Sequence, residues 1–316
     1  MARISHVAPT GDARADAVLR VVVEAFERAF PNRIRGYYLH GSQAEGDGVP
    51  TSDLDLVILF CDRLGSPDEH KRADRLRDQC AANSLIELDI ELADEASLRA
   101  GMDPTLKLAS RLIYGEDVRE QYPLVALDAW ARDRLHSSYW RIIMLFGRPL
   151  PVVTPLTYPD SSDAFYGYTR RKTRLPGGGE APGTRDLIRS VGWAATALLA
   201  LRAGVYVARK RDCHVLYRRH IGDEWSDLLE AIYTRCRGAW RYLIPDDAAA
   251  QAELRAICGR TLGFERHFLA IYHDYLLEQL RDGDEAGCQQ ARCVLGQVPW
   301  QDERIAAALA ARDQPE

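Results

Sequence analysis

Two aspartates that flank one leucine, directly before an apolar run, constrain this chain more than any other feature. Asp53 and Asp55 precede the apolar residues 57–60. Period-two geometry places both side chains on one face of a strand, with Cα atoms about 6.6 Å apart. Carboxylates this close repel each other unless a cation lies between them, and acids on a core strand are costly without a partner. We therefore predict a divalent metal site; the alternative for a bare Asp-x-Asp pattern is an exposed edge strand.

Two further segments favour the metal site. Upstream lies Gly41-Ser42, where glycine lets the backbone approach a phosphate and Ser42 can start a short helix whose amides face an anion. Downstream, residues 85–92 alternate between apolar and acidic side chains, as a half-buried strand does. The acids of this strand are Glu87, Asp89 and Glu91. A third carboxylate completes the oxygen ligands that magnesium prefers, or accepts the proton of an attacking hydroxyl.

These motifs resemble the nucleotidyltransferase superfamily, which includes DNA polymerase beta. The similarity is greatest to the aminoglycoside (streptomycin/spectinomycin) adenylyltransferases and extends through residues 111–117. The resemblance implies ATP as nucleotide donor and Mg²⁺ as cofactor. It makes Asp53, Asp55 and Asp89 the catalytic and metal-binding acids, and it assigns the phosphates to Gly41 and Ser42. Glu87 and Glu91 share a face with Asp89, so either remains an alternative third acid.

The same resemblance implies a nucleotide-binding lysine beyond an apolar helix. Residues 184–203 are mostly apolar, as in a buried helix, and Gly204 ends the predicted helix. Lys210 is the candidate for the lysine that reaches the triphosphate. Arg209 and Arg211 leave the register open by one residue, and a basic helix start on the surface is the alternative.

The fold class that these patterns predict is an α/β N-terminal nucleotidyltransferase domain with a small mixed sheet, plus an all-α C-terminal helical bundle. We place the catalytic domain at 1–125 and the helical domain at 126–316. The predicted strands are 35–40, one around residue 53, and 85–92. The predicted helices of the first domain are 13–30, 67–82 and one from Asp103-Pro104 to Tyr114-Gly115. The predicted helices of the second domain are 127–146, 184–203, 224–241, 247–260, 264–282 and 302–312.

The least regular stretch is the proline- and glycine-rich segment 147–186. We interpret it as a long loop, either mobile or ordered by substrate. Its basic and aromatic residues are Tyr166, Tyr168, Arg170, Arg171, Lys172 and Arg174. A solvated linker is the favoured interpretation, and a loop that grips phosphate or RNA is the alternative.

Composition is typical of a cytoplasmic enzyme. The chain has 316 residues, 47% hydrophobic and 28% charged, which suffices for two ordinary cores. A formal net charge of -5 argues against a general nucleic-acid coat. Seven scattered cysteines predict free thiols in a reducing compartment. We expect neither a signal peptide nor a membrane span.

We therefore expect transfer of a nucleoside monophosphate from a nucleoside triphosphate, with ATP assumed, to a hydroxyl of a small acceptor in a cleft between the two domains. The acidity of Glu87 and Glu91 suggests an aminoglycoside. The alternatives are a toxin-like nucleotidyltransferase acting on tRNA or protein, a cyclase making nucleotide messengers, and a non-catalytic nucleotide-binding module. The sequence gives no indication of oligomeric state.

Overall fold

The computed structural model describes residues 7–312, which divide into two units. The first unit comprises residues up to 126 together with two later segments, 174–180 and 207–210. The second unit contains the rest of the chain. The prediction of an α/β part with a small mixed sheet and a helical C-terminal part is confirmed.

The first unit is built on one four-stranded sheet. Its elements in chain order are α1 (Ala13–Ala29), β1 (Ile34–His40), α2 (Ser42–Glu45), β2 (Leu54–Phe60), α3 (Pro67–Asn83), β3 (Leu88–Asp94), α4 (Glu95–Leu98), α5 (Pro104–Ala109) and β4 (Arg111–Gly115). The strand order is β3-β2-β1-β4. β1 is antiparallel to both of its neighbours, and β2 runs parallel to β3. α3 is the crossover that a parallel pair requires.

One face of the sheet is covered by α1 and α3. Asp12 caps α1 by accepting the amides of Arg14 and Ala15, and Ser66 caps α3 by accepting the amide of Glu69. The helices bury their apolar side chains against alternate residues of the strands. This first core contains Leu19, Val22, Val23, Phe26, Tyr37, Leu39, Leu54, Leu56, Ile58, Ala73, Leu88 and Ile90.

The other face carries a smaller core at the end where β2 finishes. Its buried members are Tyr38, Val57, Leu59, Leu98, Met102, Leu106 and Val118. The Tyr38 hydroxyl donates to the Glu116 carbonyl and accepts the Val118 amide, which joins β1 to the chain after β4. Because β2 alternates, Asp55 shares this face with Val57 and Leu59 but lies toward the start of the strand.

Two predicted elements of this unit are wrong in their limits. The predicted strand 85–92 begins only at Leu88 and continues to Asp94. Leu85 is 83% exposed, and the Ser84 hydroxyl donates to the Ile86 carbonyl and accepts the Ile86 amide. Residues 84–86 therefore form a turn, and strand pairing begins only after it. The predicted helix from Asp103 to Gly115 ends at Ala109, because residues 111–115 form β4 and pair with β1.

The second unit is mostly helical. Its elements are α6 (Leu127–Met144), β5 (Lys172–Arg174) and β6 (Glu180–Pro182) as a small hairpin that reaches into both units, α7 (Arg185–Leu198), α8 (Cys213–His220), α9 (Ser226–Ala231), α10 (Ala248–Arg281), α11 (Glu285–Gln297) and α12 (Glu303–Arg312). Wider π-type turns extend α7 through Leu199–Ala203 and α9 through Ile232–Ala239. No helix within residues 7–312 is both long and apolar enough to cross a membrane.

α7 and α10 form the centre of this unit. The buried face of α7 includes Leu187, Val191, Ala194, Ala195 and Leu198, as its apolar sequence predicts. α10 is one helix of 34 residues where two were predicted. The helix continues through Gly263. A Cβ atom at this position would lie 2.8 Å from the Trp225 ring, so glycine allows the ring to pack closely against the helix. α11 was not predicted.

Segment 147–186 is packed rather than solvated, with residues 174–180 in the first unit and the rest in the second. Tyr168 is fully buried, and its hydroxyl donates to Glu265, which also accepts Arg148 at 2.6 Å. Arg170 pairs with Asp160, and Arg171 pairs with Asp186. Within the first unit, Arg174 donates to the Ser84 carbonyl. These contacts give the segment a structural role, so the interpretation as a solvated linker is wrong. Binding of phosphate or RNA by its basic residues stays a prediction.

The seven cysteines are free thiols, as predicted. Burial raises the pKa of the Cys213 thiol to about 11 and that of Cys258 to about 12. Neither residue therefore has the lowered pKa of a reactive cysteine.

His136 links the two long helices of the second unit. Its Nδ1 lies 2.7 Å from the Tyr272 hydroxyl, and burial lowers its pKa to about 4. In the unfolded chain the pKa returns to about 6.5. Between these values the unfolded chain binds a proton that the folded protein does not, so stability falls as the pH drops.

We predict that the titration of His136 lowers the free energy of unfolding by about 3 kcal/mol as the pH falls from 7 to 4. The His136→Gln variant should lose that part of the pH dependence, measured by urea unfolding at both pH values. His220→Gln, at an exposed histidine of α8, is the matched control. An equal pH dependence in wild type and His136→Gln would contradict the prediction.

Candidate active site

The candidate acids come together where β2 and β3 begin. The parallel register pairs Asp55 with Asp89, and neighbouring strands lie about 4.8 Å apart. Directly paired residues of adjacent strands point to the same face, so both carboxylates lie on the face that α1 and α3 leave uncovered. Asp53 lies just before the first residue of β2. The structure thus brings Asp55 and Asp89 side by side, with Asp53 two residues away along the chain.

Asp55 is a largely buried acid, 7% exposed, beside the turn that ends β1. Gly41 adopts φ 71° and ψ −160°, a conformation available almost only to glycine. A Cβ atom at Gly41 would lie 2.4 Å from Asp55 Oδ2. The carboxylate therefore occupies the space that a side chain at position 41 would need. Gly41 is required for two independent reasons, its backbone conformation and its contact with the acid.

Ser42 opens α2, a single helical turn that follows the glycine. The amides of Ala44 and Glu45 donate to the Gly41 carbonyl, which closes the turn. Gly46 ends it in the left-handed conformation. The sequence prediction of a Gly-Ser bend leading into a short helix thus agrees with the structure. The role of Gly41 and Ser42 in phosphate binding remains a prediction.

Lys210 lies next to the same acid. Residues 207–210 belong to the first unit, and Lys210 Nζ lies 3.8 Å from Asp55 Oδ2. The lysine side chain is 58% exposed and that of Asp55 only 10%. The structure thus places Lys210 beside the predicted phosphate site; its nucleotide role stays a prediction.

The register also separates the alternatives for the third acid. Asp89 is the direct partner of Asp55, whereas Glu91 pairs with Val57, one full strand period farther on. The Glu87 carbonyl accepts the Leu54 amide, which places Glu87 opposite Asp53 just before β3. Asp89 is therefore the best placed of the three acids with respect to Asp55, and Glu87 is the nearest to Asp53.

One residue beside this site was not predicted to contribute to it. His40 is the cross-strand partner of Asp55 on β1, so the alternation of the strand places its side chain on the acid face. Its Nδ1 is buried and has no hydrogen-bond partner. Period-two counting from Tyr38 would have revealed this, since Tyr38 and His40 share a face.

A cavity of about 490 Å³ lies along β3 and reaches Asp89. Its charged lining residues are Asp74, Arg77, Asp89, Glu91 and Asp94, and His70 also lines it. Arg77 already pairs with Asp74 at 2.8 Å and with Asp78 at 3.0 Å. The lining therefore has a net negative charge, which favours a cationic ligand.

The acid face fits magnesium through carboxylate oxygens, although it is not a complete cage. Among residues 7–312, no group of three or more His, Cys, Asp or Glu is arranged to hold a metal ion. Mg²⁺ is commonly bound by one or two carboxylates together with substrate phosphates. Asp55 and Asp89, side by side next to the glycine turn, provide that number of ligands.

The small mixed sheet, the Gly-Ser turn and the acids on adjacent strands are the features that the sequence analysis expected of a nucleotidyltransferase domain.

Residues 19–98 match the family described as nucleotidyltransferase domain. The chain therefore carries a nucleotidyltransferase domain, and the sequence prediction of an enzyme of this superfamily is confirmed. No protein of curated function matches the chain significantly by sequence.

Solved structures are similar to the chain at low identity. The spectinomycin adenyltransferase AAD(9) from Enterococcus faecialis, solved with ATP and spectinomycin, is 12% identical with a TM-score of 0.47. The match covers 78% of this chain and 98% of that one. A toxin-antitoxin complex with AMP-PNP is 17% identical with a TM-score of 0.25, over 39% of this chain and 94% of that one. Both TM-scores are below 0.5, so neither establishes a shared overall fold.

We predict that Gly41→Ala lowers both stability and nucleotide transfer. Alanine would be strained at this φ and ψ and would displace Asp55, costing about 1–3 kcal/mol of unfolding free energy. Displacement of an acid by about 1 Å can cost about 100-fold in rate. Urea unfolding and turnover would be measured on the same preparations.

Gly46→Ala is the matched control for this substitution. Gly46 also has a positive φ, 72°, but a Cβ atom there meets nothing within 4 Å. It should lose stability through backbone strain while keeping activity. If Gly41→Ala turned over as fast as Gly46→Ala, the contact between Gly41 and Asp55 would not matter for the reaction.

Proposed function

We propose that the protein is a magnesium-dependent adenylyltransferase that moves AMP from ATP to a hydroxyl of a small cationic acceptor. The observation that carries this proposal is the pairing of Asp55 with Asp89 beside the Gly41 turn. The choice of ATP rests on the resemblance of the motifs to adenylyltransferases.

In the proposed reaction the acceptor oxygen attacks the α-phosphorus. A new P–O bond forms, the bond to the bridging oxygen of the β-phosphate breaks, and pyrophosphate leaves. Gly41 and Ser42 bind the terminal phosphates through backbone amides and the serine hydroxyl, and Lys210 adds positive charge. Asp53 and Asp55 hold Mg²⁺, and Asp89 completes that site or accepts the proton of the acceptor hydroxyl. When bound, the metal neutralises the triphosphate and makes the hydroxyl more acidic.

The acidic cavity along β3 supports a cationic acceptor. Asp89, the acid assigned to the acceptor side, is one of its lining residues, and the others come from β3, from α3, from the end of β2 and from the chain between β2 and α3. An aminoglycoside has both the positive charges and the hydroxyls that such a cavity requires. A long RNA is less suited, because a polyanion would meet this net negative lining.

We expect the full-length protein, with Mg²⁺ and ATP, to release pyrophosphate and add AMP to at least one aminoglycoside. The panel contains each nucleoside triphosphate with spectinomycin, streptomycin, other aminoglycosides, total tRNA or no acceptor, read by mass spectrometry. Addition of a nucleotide to tRNA and to no small acceptor, or formation of a cyclic nucleotide without acceptor, would contradict the small-molecule proposal. Nucleotide binding without transfer to any acceptor would instead favour a binding module.

We predict that Asp55→Asn and Asp89→Asn each reduce kcat/KM by about 1,000-fold, equivalent to about 4 kcal/mol. Glu91→Gln should have a smaller effect, because Glu91 pairs with Val57 rather than with an acid. Asp78→Asn, on the exposed surface of α3, is the matched control. A larger loss in Glu87→Gln than in Asp89→Asn would make Glu87 the third acid.

A further inference from the structure

Lys210 and Asp55 form an ion pair with a long distance between its charged atoms and with one exposed partner. The two charged atoms are 3.8 Å apart, beyond direct hydrogen-bond distance. One partner is a largely buried carboxylate, for which a nearby positive charge offsets desolvation. The other is mostly exposed and therefore free to move toward solvent.

The backbone around Lys210 is held while its side chain is not. Val207, at the start of the segment that joins the first unit, is only 5% exposed and anchors the chain there. Lysine carries a compact charge on a flexible stem of four carbons, so its ammonium can reach different positions from one anchor.

We propose that Lys210 contributes positive charge at Asp55 in the nucleotide-free enzyme and moves to the triphosphate when nucleotide and metal arrive. This inference rests on the proposed function. The ammonium and the metal ion then compete for the same carboxylate. Nucleotide removes this competition, because its phosphates attract the lysine away from Asp55 and supply further oxygens to the metal.

Such an exchange makes metal and nucleotide binding mutually dependent. Without nucleotide, a metal ion must displace the ammonium, so its affinity is reduced. With nucleotide, the lysine stabilises the triphosphate that helps to hold the metal. The two ligands therefore strengthen each other's binding by an equal factor. The enzyme would hold little metal until its substrate is present.

The test is a pair of Mn²⁺ titrations of full-length wild type and Lys210→Met, followed by electron paramagnetic resonance. One titration has no nucleotide, and the other has a saturating non-hydrolysable ATP analogue. Lys210→Met should bind Mn²⁺ about fivefold more tightly without nucleotide and about fivefold more weakly with it. Lys71→Met, on the exposed surface of α3, should match the wild type in both titrations.

The opposite signs distinguish this proposal from simpler roles. A lysine that only binds phosphate would change the second titration and leave the first unaltered, which would overturn the proposal. A purely structural lysine would weaken both. If the proposed function were wrong, the wild type would bind the analogue but transfer no nucleotide in the activity assay. The titration without nucleotide would still report on Lys210 and Asp55.

Discussion

The site depends on one close contact, that between the Asp55 carboxylate and the backbone of Gly41. It places an acid inside the sheet, next to a turn that no residue with a side chain can adopt without strain. An acid so placed requires positive charge nearby, which Lys210 provides in part and which a metal ion would provide more strongly. The conformation of the turn at Gly41 therefore fixes the position of the Asp55 charge.

The sheet separates stability from chemistry. One face is filled by α1 and α3, so its apolar residues stabilise the unit, and the other is packed only toward the end of β2. The remaining part of that face carries Asp55, Asp89 and His40. A rigid core directly beneath the acids keeps their backbone positions constant, which a reaction sensitive to small displacements requires.

Period-two alternation predicted that Asp55 and Asp89 would share a face, as the strand register shows, and the alternation of strands with helices predicted the small sheet. The catalytic and metal-binding roles of these acids stay predictions. The sequence patterns failed where tertiary contacts override local pattern. The sequence pattern predicted a helix over the residues of β4. They form an edge strand because they pair with β1, which lies far earlier in the chain. Two helices were predicted where α10 is continuous, and the Trp225 ring beside Gly263 comes from the turn before α9, which the local sequence does not reveal. The burial of Tyr168 likewise depends on a distant partner, Glu265, which lies 97 positions later in the chain.

The first unit draws on three separate stretches of the chain, the last of which is Val207–Lys210. A gene cut once after residue 126 would encode every candidate acid and the whole four-stranded sheet, yet would lack the lysine beside Asp55. Exchange of the N-terminal part alone would replace Asp55 and leave Lys210 in place. More than 150 positions separate the two partners of this ion pair in the printed sequence, although both belong to the same unit.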